Sequence, residues 1–418
     1  MIGQRDFPVW AGVPKLNLLQ FGPAAWYDLS NPSSRILGTG DKCEFDLSGN
    51  SAQLAYCNNG QAANYLTATA KSVTGNQTFS ADCVMLSYTA PAANRTLASK
   101  LAGNSGFEFI LLTTGILRLR IGDGATVTNV DAPSALTATA LTRHTLSAVW
   151  VDGVGATFQI DGGAIGAQQA AAKTLADSGA VLTIDNTSIN GQLFRVQVGT
   201  VYDCYPNRDA TKMAASWTSG GASAEVYTLT TAQPQGGRIA GQRDQVQLTA
   251  SFQSVLSGNG LLFSGAAYHN MQSGPWGLAQ PSCAYFVGTQ ITWGNGPNIL
   301  DGYDGSHRLS LAQHTSTPNL NVYAGSNSAD FGGMAVGVPT LLTVYVNGAI
   351  SFIRANRGAA LTINPGTQNA QGITIGGTSG GASSCSNILL NELAIFSALP
   401  AQDALIQQYF INKWHLAA

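Results

Sequence analysis

The sequence predicts an all-β protein made of two β-sandwiches in tandem, and three observations carry that prediction. First, a hairpin motif occurs twice: Val149-Trp150-Val151-Asp152-Gly153 recurs as Val344-Tyr345-Val346-Asn347-Gly348. A turn dipeptide between alternating apolar residues is a strong hairpin signal, and its recurrence at domain spacing points to a duplicated domain. Second, the composition suits short strands and tight turns. Gly is 48 of 418 residues, charged residues make up 10%, and glutamate occurs only at positions 44, 108, 225 and 392. Third, 418 residues exceed one ordinary domain, and an apolar fraction of 44% suffices for real cores.

Taken in order, residues 1–50 read as an irregular arm, with turn signals at Asn31-Pro32 and Ser48-Gly49-Asn50 and with Trp26 and Tyr27 plugging it onto a neighbouring core. Residues 51–217 read as the first sandwich. Strands are expected at 79–87, 106–112, 117–121, 146–151, 157–160, 181–184 and 193–198, most of them parted by Gly, Asn, Asp or Pro. The Ala- and Gln-rich stretch 164–180 is read as holding a helical turn. The unit closes with Tyr205-Pro206-Asn207-Arg208-Asp209, expected to open a short helix with Met213 and Trp217 on one face, since proline suits a first helical turn. Residues 218–245 read as a linker or bridging strand. Residues 246–418 read as the second sandwich, with long loops at 274–277 and 292–306. It closes the same way: strand 392–396, then Leu399-Pro400 and a helix whose Ile406, Phe410 and Trp414 form one apolar stripe.

Charge and cysteine content narrow the function. A net charge of −2 with dispersed Lys and Arg argues against nucleic acid or an anionic membrane surface as partner. No apolar run is long enough to span a bilayer. The opening MIGQRDFPVWAGVPK lacks the basic-then-apolar pattern of a secretory signal, so either a signal was removed or synthesis and assembly are cytoplasmic. The six cysteines match no zinc spacing. Cys83 and Cys283 lie in corresponding apolar strands and read as small buried hydrophobes. A Cys43–Cys57 bridge is an alternative, but free thiols are expected overall.

The segment RHTLSAVWVDGVGATFQIDGGAIG resembles the central hairpin of laminin-G-like, concanavalin-A-like jelly rolls, and VLTIDNTSINGQLFRVQVGTVYD resembles the signature that follows it. The second copy is similar at 344–348, 373–377 and 393–396, but Asn356-Arg357-Gly358 replaces its second Asp-Gly turn. The resemblance implies two such jelly rolls, with an N-terminal arm and short helices closing each unit. It is specific for fold and not for function, because the fold serves lectins, glucanases, adhesins and structural proteins. The arm carries a narrower likeness. Pro23-Ala24-Ala25-Trp26-Tyr27-Asp28-Leu29-Ser30, followed by Asp46-Leu47-Ser48-Gly49-Asn50, is similar to the opening of tailed-bacteriophage structural proteins that carry this sandwich. That implies a virion protein assembled in a bacterial cytoplasm.

Catalytic patterns are sparse. Laminarinase-type members of the fold carry Glu-x-Asp-x-x-Glu on one strand, one acid attacking and another protonating, and no such run occurs here. Glu108 is a single acid expected to face solvent. There is no Gly-x-Ser-x-Gly elbow and no metal-like pair among His144, His269, His307, His314 and His415. The expectation is therefore of a chain that is not an enzyme and has no cofactor. The loop Asp301-Gly302-Tyr303-Asp304-Gly305-Ser306 offers a calcium ion two carboxylates and a hydroxyl, though a plain chain reversal is the favoured reading. Trp276 and Trp293, in Gly-rich loops, with Asn295 and Tyr303, are candidates for contact with a glycan or with a neighbouring module or subunit.

The expected function is that of a bacteriophage virion structural protein, a capsid decoration or a head- or tail-fibre component. It docks to other virion proteins as a homo-oligomer, with host-surface glycan adhesion as an added role. The rival is a secreted carbohydrate-binding protein or an inactive glucanase relative.

Overall fold

The computed structural model describes residues 18–28, 35–37, 41–44, 54–58, 64–185, 187, 189–206, 210, 214–219, 225–230, 238–241, 244–247, 253–378 and 384–417. It is β-rich, with one α-helix among the described residues, Asp403–Trp414. Four sheets form two sandwiches.

In the first sandwich, one sheet runs Gly155–Ile160, Arg143–Val151, Gln77–Met85, Gly191–Val198, Leu54–Asn58 and Arg238–Gly241. The facing sheet runs Leu117–Asp123, Ser105–Leu111, Arg95–Ser99, Leu182–Ile184, Tyr65–Ala68 and Val226–Thr230. Alternate residues meet between them, so Phe79, Phe107, Phe109, Trp150 and Phe158 share one core. All seven strands expected in this unit are present. Others were not expected, and of these Tyr65–Ala68, Arg95–Ser99 and Val127–Asp131 are Thr-, Ala- and Asn-bearing segments of low hydrophobic contrast.

The second sandwich repeats both strand orders. Ser351–Ala355, Thr340–Val346, Ser282–Gln290, Asn387–Phe396 and Gly260–Ser264 make one sheet; Asn319–Tyr323, Ser310–His314, Asn298–Asp301, Thr374–Ile375 and Met271–Gln272 lie in the other. The duplication reaches single hydrogen bonds. In the first hairpin's second turn, Asp161 and Gly162 take φ of 50° and 79°, and Asp161 Oδ1 accepts from the Thr145 amide at 2.8 Å. In the second copy, Asn356 and Arg357 take φ of 45° and 64°, and Asn356 Oδ1 accepts from the Leu341 amide at 2.8 Å. Asn tolerates the left-handed conformation nearly as Asp does, so the departure in sequence keeps the turn.

Ser282–Gln290 is buried along its whole length. One face meets the sandwich core at Ala284 and Phe286, and the other meets the helix through Cys283, Tyr285 and Val287. The expected stripe of Ile406 and Phe410 provides that cover, and Tyr285 stacks on Phe410 at 5.9 Å.

Several expectations differ from the structure. Within 1–50, Ala25–Asp28 pairs antiparallel with Asn387–Phe396, and Arg35–Leu37 and Asp41–Glu44 join the facing sheet through Gln245–Val246. The arm therefore supplies strands to the second sandwich, and strands of the second sandwich bracket the first along the chain. Ala25–Asp28 occupies the place beside Asn387–Phe396 that Tyr202–Cys204 takes beside Gly191–Val198. Segment 218–245, read as a linker or bridging strand, contributes two strands, Val226–Thr230 and Arg238–Gly241, one to each sheet of the first sandwich. Unpaired strand edges are costly to leave open, which accounts for both additions.

The stretch 164–180 is not helical: Gln169–Ala170 pairs with Gly155 and Ala156, and the Leu175 amide donates to Asp152 Oδ1 at 2.9 Å. Trp217, expected on a helix, lies in strand Ser216–Thr218 and stacks on Tyr227 at 5.6 Å. Residues 207–209 and 211–213 of that expected helix lie outside the described residues, as do 46–50 and the side chains of Cys43 and Cys57. Cys83, Cys204, Cys283 and Cys385 are buried thiols.

Candidate functional site

The structure separates the four candidate contact residues into two places. Trp276 is 1% exposed in the second core, its indole N–H donating to Ser273 Oγ at 3.2 Å. Tyr303 is 3% exposed, and its hydroxyl donates across to Asn190 Oδ1 of the first sandwich at 2.6 Å. Neither can serve as an exposed platform for a sugar. Gly-rich loops looked open in sequence, but two sandwiches packed together bury the loops between them. The Tyr303 carbonyl accepts from Gln272 Nε2 at 2.6 Å, and Gln192 of the first sandwich donates to the Pro275 carbonyl at 3.4 Å. Arg95 and Asp185 are buried on the first-sandwich side of this joint. Burial pulls the Arg95 guanidinium below its usual range, opposed by Asp185 and Tyr303.

Tyr303→Phe removes one buried hydrogen bond between the sandwiches. Its expected cost is about 0.5–1.5 kcal/mol, read as a lower urea midpoint.

Trp293 and Asn295 remain together on an outer loop. The Trp293 indole N–H donates to the Thr315 carbonyl at 3.1 Å, and Asn295 Oδ1 accepts from the Thr315 amide at 3.1 Å. Trp293 is half-buried against the second core, and Asn295 is exposed.

In the loop weighed for calcium, the two carboxylates are held by other partners. Asp301 is fully buried against Arg308 at 3.0 Å, while Asp304 Oδ1 accepts from the Ser306 amide and meets His307 Nδ1, each at 2.8 Å. Among the described residues no group of three or more His, Cys, Asp or Glu is arranged to hold a metal. Glu108, expected to face solvent, is instead half-buried and paired with Arg120 at 2.6 Å.

One cluster escaped the sequence reading. Glu392 lies in the central strand of the second sandwich, on the face turned to the helix, with 0% exposure. Oε1 accepts from the Trp26 indole at 2.8 Å and the Tyr409 hydroxyl at 3.0 Å; Oε2 accepts from the Trp414 indole at 2.7 Å and meets Lys413 Nζ at 2.8 Å. Lys413 also reaches Asp28 Oδ2 at 2.9 Å. Burial pushes the Glu392 carboxyl above its usual range and Asp28 adds to this, while Lys413 and the Trp26 indole oppose it. The available signal was a lone glutamate inside the apolar run Leu389 to Phe396, in a chain with so few glutamates.

No family model and no curated protein matches the chain. Solved structures do. Domains LG4-5 of the mouse laminin alpha1 chain align over 86% of this chain and 92% of theirs, at 12% identity and a TM-score of 0.35. The likeness is to laminin G domains in tandem, and this chain's four antiparallel sheets likewise form two sandwiches. The LG1-3 region of the laminin alpha2 chain aligns over 84% of this chain and 64% of its own, at 9% identity and a TM-score of 0.29. Trypanosoma rangeli sialidase in complex with sialic acid aligns over 75% and 68%, at 11% identity and a TM-score of 0.32. This last finding corrects the expectation of a chain that is not an enzyme. Sialidase structures stand beside laminin domains among the solved structures this chain is similar to.

Proposed function

We propose that the protein is a bacteriophage virion structural component, a capsid decoration or fibre subunit, made in the host cytoplasm and working by docking to other virion proteins. The observation that supports this is the place of the phage-like opening segment. Ala25–Asp28 is a strand of the second sandwich, with Tyr27 buried in its core, so the likeness falls on a working part of the fold. Sandwich faces of low charge suit contacts with neighbouring subunits in a symmetric oligomer. Mass spectrometry of purified virions is the test. The polypeptide is expected in stoichiometric amount, and its absence from particles whose genome encodes it overturns the proposal.

A second reading, a lectin-like protein, rests on the Trp293–Asn295 loop, where an aromatic ring and an amide share one outer turn. Oligosaccharide binding that Trp293→Ala reduces at least tenfold would favour it. An oligosaccharide array with no hits would remove it.

A further inference from the structure

Lys413, Asp28 and Glu392 are placed for a covalent reaction. Asp28 and Glu392 are direct partners across the antiparallel ladder, so their side chains leave the same face of the sheet, beneath the helix. Lys413 descends from that helix between them, 2.9 Å from Asp28 Oδ2 and 2.8 Å from Glu392 Oε2. Side-chain exposure is 16% for Asp28, 26% for Lys413 and 0% for Glu392. The Tyr409 and Trp414 rings flank the ammonium, with centroids 5.5 and 5.3 Å away. Among ion pairs between described residues, no other lysine meets two carboxylates.

We propose that the Lys413 amine and the Asp28 carboxyl condense into a permanent amide, with Glu392 carrying the proton, cross-linking strand Ala25–Asp28 to helix Asp403–Trp414. Glu392 takes one proton from the ammonium and frees the amine. The nitrogen lone pair attacks Asp28 Cγ, forming the N–C bond. Glu392 then returns its proton to the departing Asp28 oxygen. The C–O bond breaks, and that oxygen leaves as water with a second proton from the nitrogen. Ammonium and carboxylate become amide and water, and no oxidant or other reactant is consumed.

Three features favour the step. A nitrogen hydrogen-bonded to the carboxylate oxygen sits close to the roughly 3–3.5 Å separation of a near-attack geometry. A buried acid whose proton affinity is raised both accepts and returns a proton readily. Limited access of water opposes the reverse hydrolysis.

Intact mass spectrometry of the fully denatured chain tests this. The expected mass is one water below that of the sequence, and protease digestion is expected to give one branched peptide joining Asp28 to Lys413. Lys413→Arg and Glu392→Gln are each expected to restore the unmodified mass. A wild-type chain at full mass overturns the proposal. So does a water loss that persists in Lys413→Arg, which would place the loss elsewhere. Because the wild-type chain alone gives a deciding mass, a variant that fails to fold leaves the test intact.

Discussion

Trp276→Ala is expected to destabilise the second sandwich by about 3–5 kcal/mol, the range for truncating a large buried aromatic residue. The ring is almost fully enclosed among the second core's residues, and its N–H is anchored on Ser273 Oγ. That hydroxyl also accepts from the Ile373 amide at 3.0 Å and donates to the Gly274 carbonyl at 2.8 Å. Truncation therefore opens a cavity and loosens the turn that leads to the joint with the first sandwich. Urea unfolding followed by far-UV circular dichroism measures the loss. A surface platform residue would instead change binding and leave the midpoint within about 0.5 kcal/mol of wild type. An unchanged midpoint would contradict the buried placement.

Asp177→Ala is expected to cost the first sandwich about 3–5 kcal/mol, because it strands the buried ammonium of Lys100. The Lys100 side chain has 0% exposure and meets Asp177 Oδ1 at 2.5 Å. The same carboxylate accepts the Val73 and Gly179 amides, each at 3.2 Å, so it also fastens two loops. Lys100→Met is expected to be near neutral or stabilising, since it removes the charge along with the need for a partner.

The pair gives a pH dependence whose sign can be worked out. Burial alone would raise the Asp177 carboxyl, but the Lys100 hydrogen bond and the Val73 and Gly179 amides outweigh it and hold it below the usual range. A lowered folded-state value means the stabilisation is complete above the unfolded carboxylate pKa and is lost as pH falls through the folded value. Urea midpoints of wild type and Lys100→Met, compared from neutral pH into the acid range, are expected to diverge, the wild type losing more because protonation of Asp177 leaves the buried Lys100 ammonium without its counter-charge. A constant gap would show that the pair is not the titrating element.

Most of the fold was legible because strand patterning and turn chemistry are local. The hairpins at Asp152-Gly153 and Asn347-Gly348 are written in adjacent residues, and so is the stripe Ile406, Phe410, Trp414. Pairings between distant segments were not legible. Nothing near Trp26 announces a partner at Glu392, and nothing near Arg238 announces Cys57. Segments such as Tyr65–Ala68, buried only on alternate residues and rich in Thr and Ala, carry too little contrast to stand out. The candidate loops were ambiguous for a related reason. Glycine and tryptophan in one loop fit an exposed platform and a buried joint equally well, and only the packing of one sandwich on the other separates Trp276 and Tyr303 from Trp293 and Asn295.

The strand Ala25–Asp28 imposes an order on biosynthesis. Trp26 leaves the ribosome 366 residues ahead of Glu392, the acid that holds it. During translation the first sandwich can complete itself while its predecessor segment still lacks a dock. That closure joins two segments 366 residues apart, the kind of long-range step that slows folding and leaves hydrogen-bonding edges open to aggregation. Nascent chains arrested before the Asn387–Phe396 strand emerges should therefore hold a finished first lobe, and depend on chaperones to keep the remainder soluble.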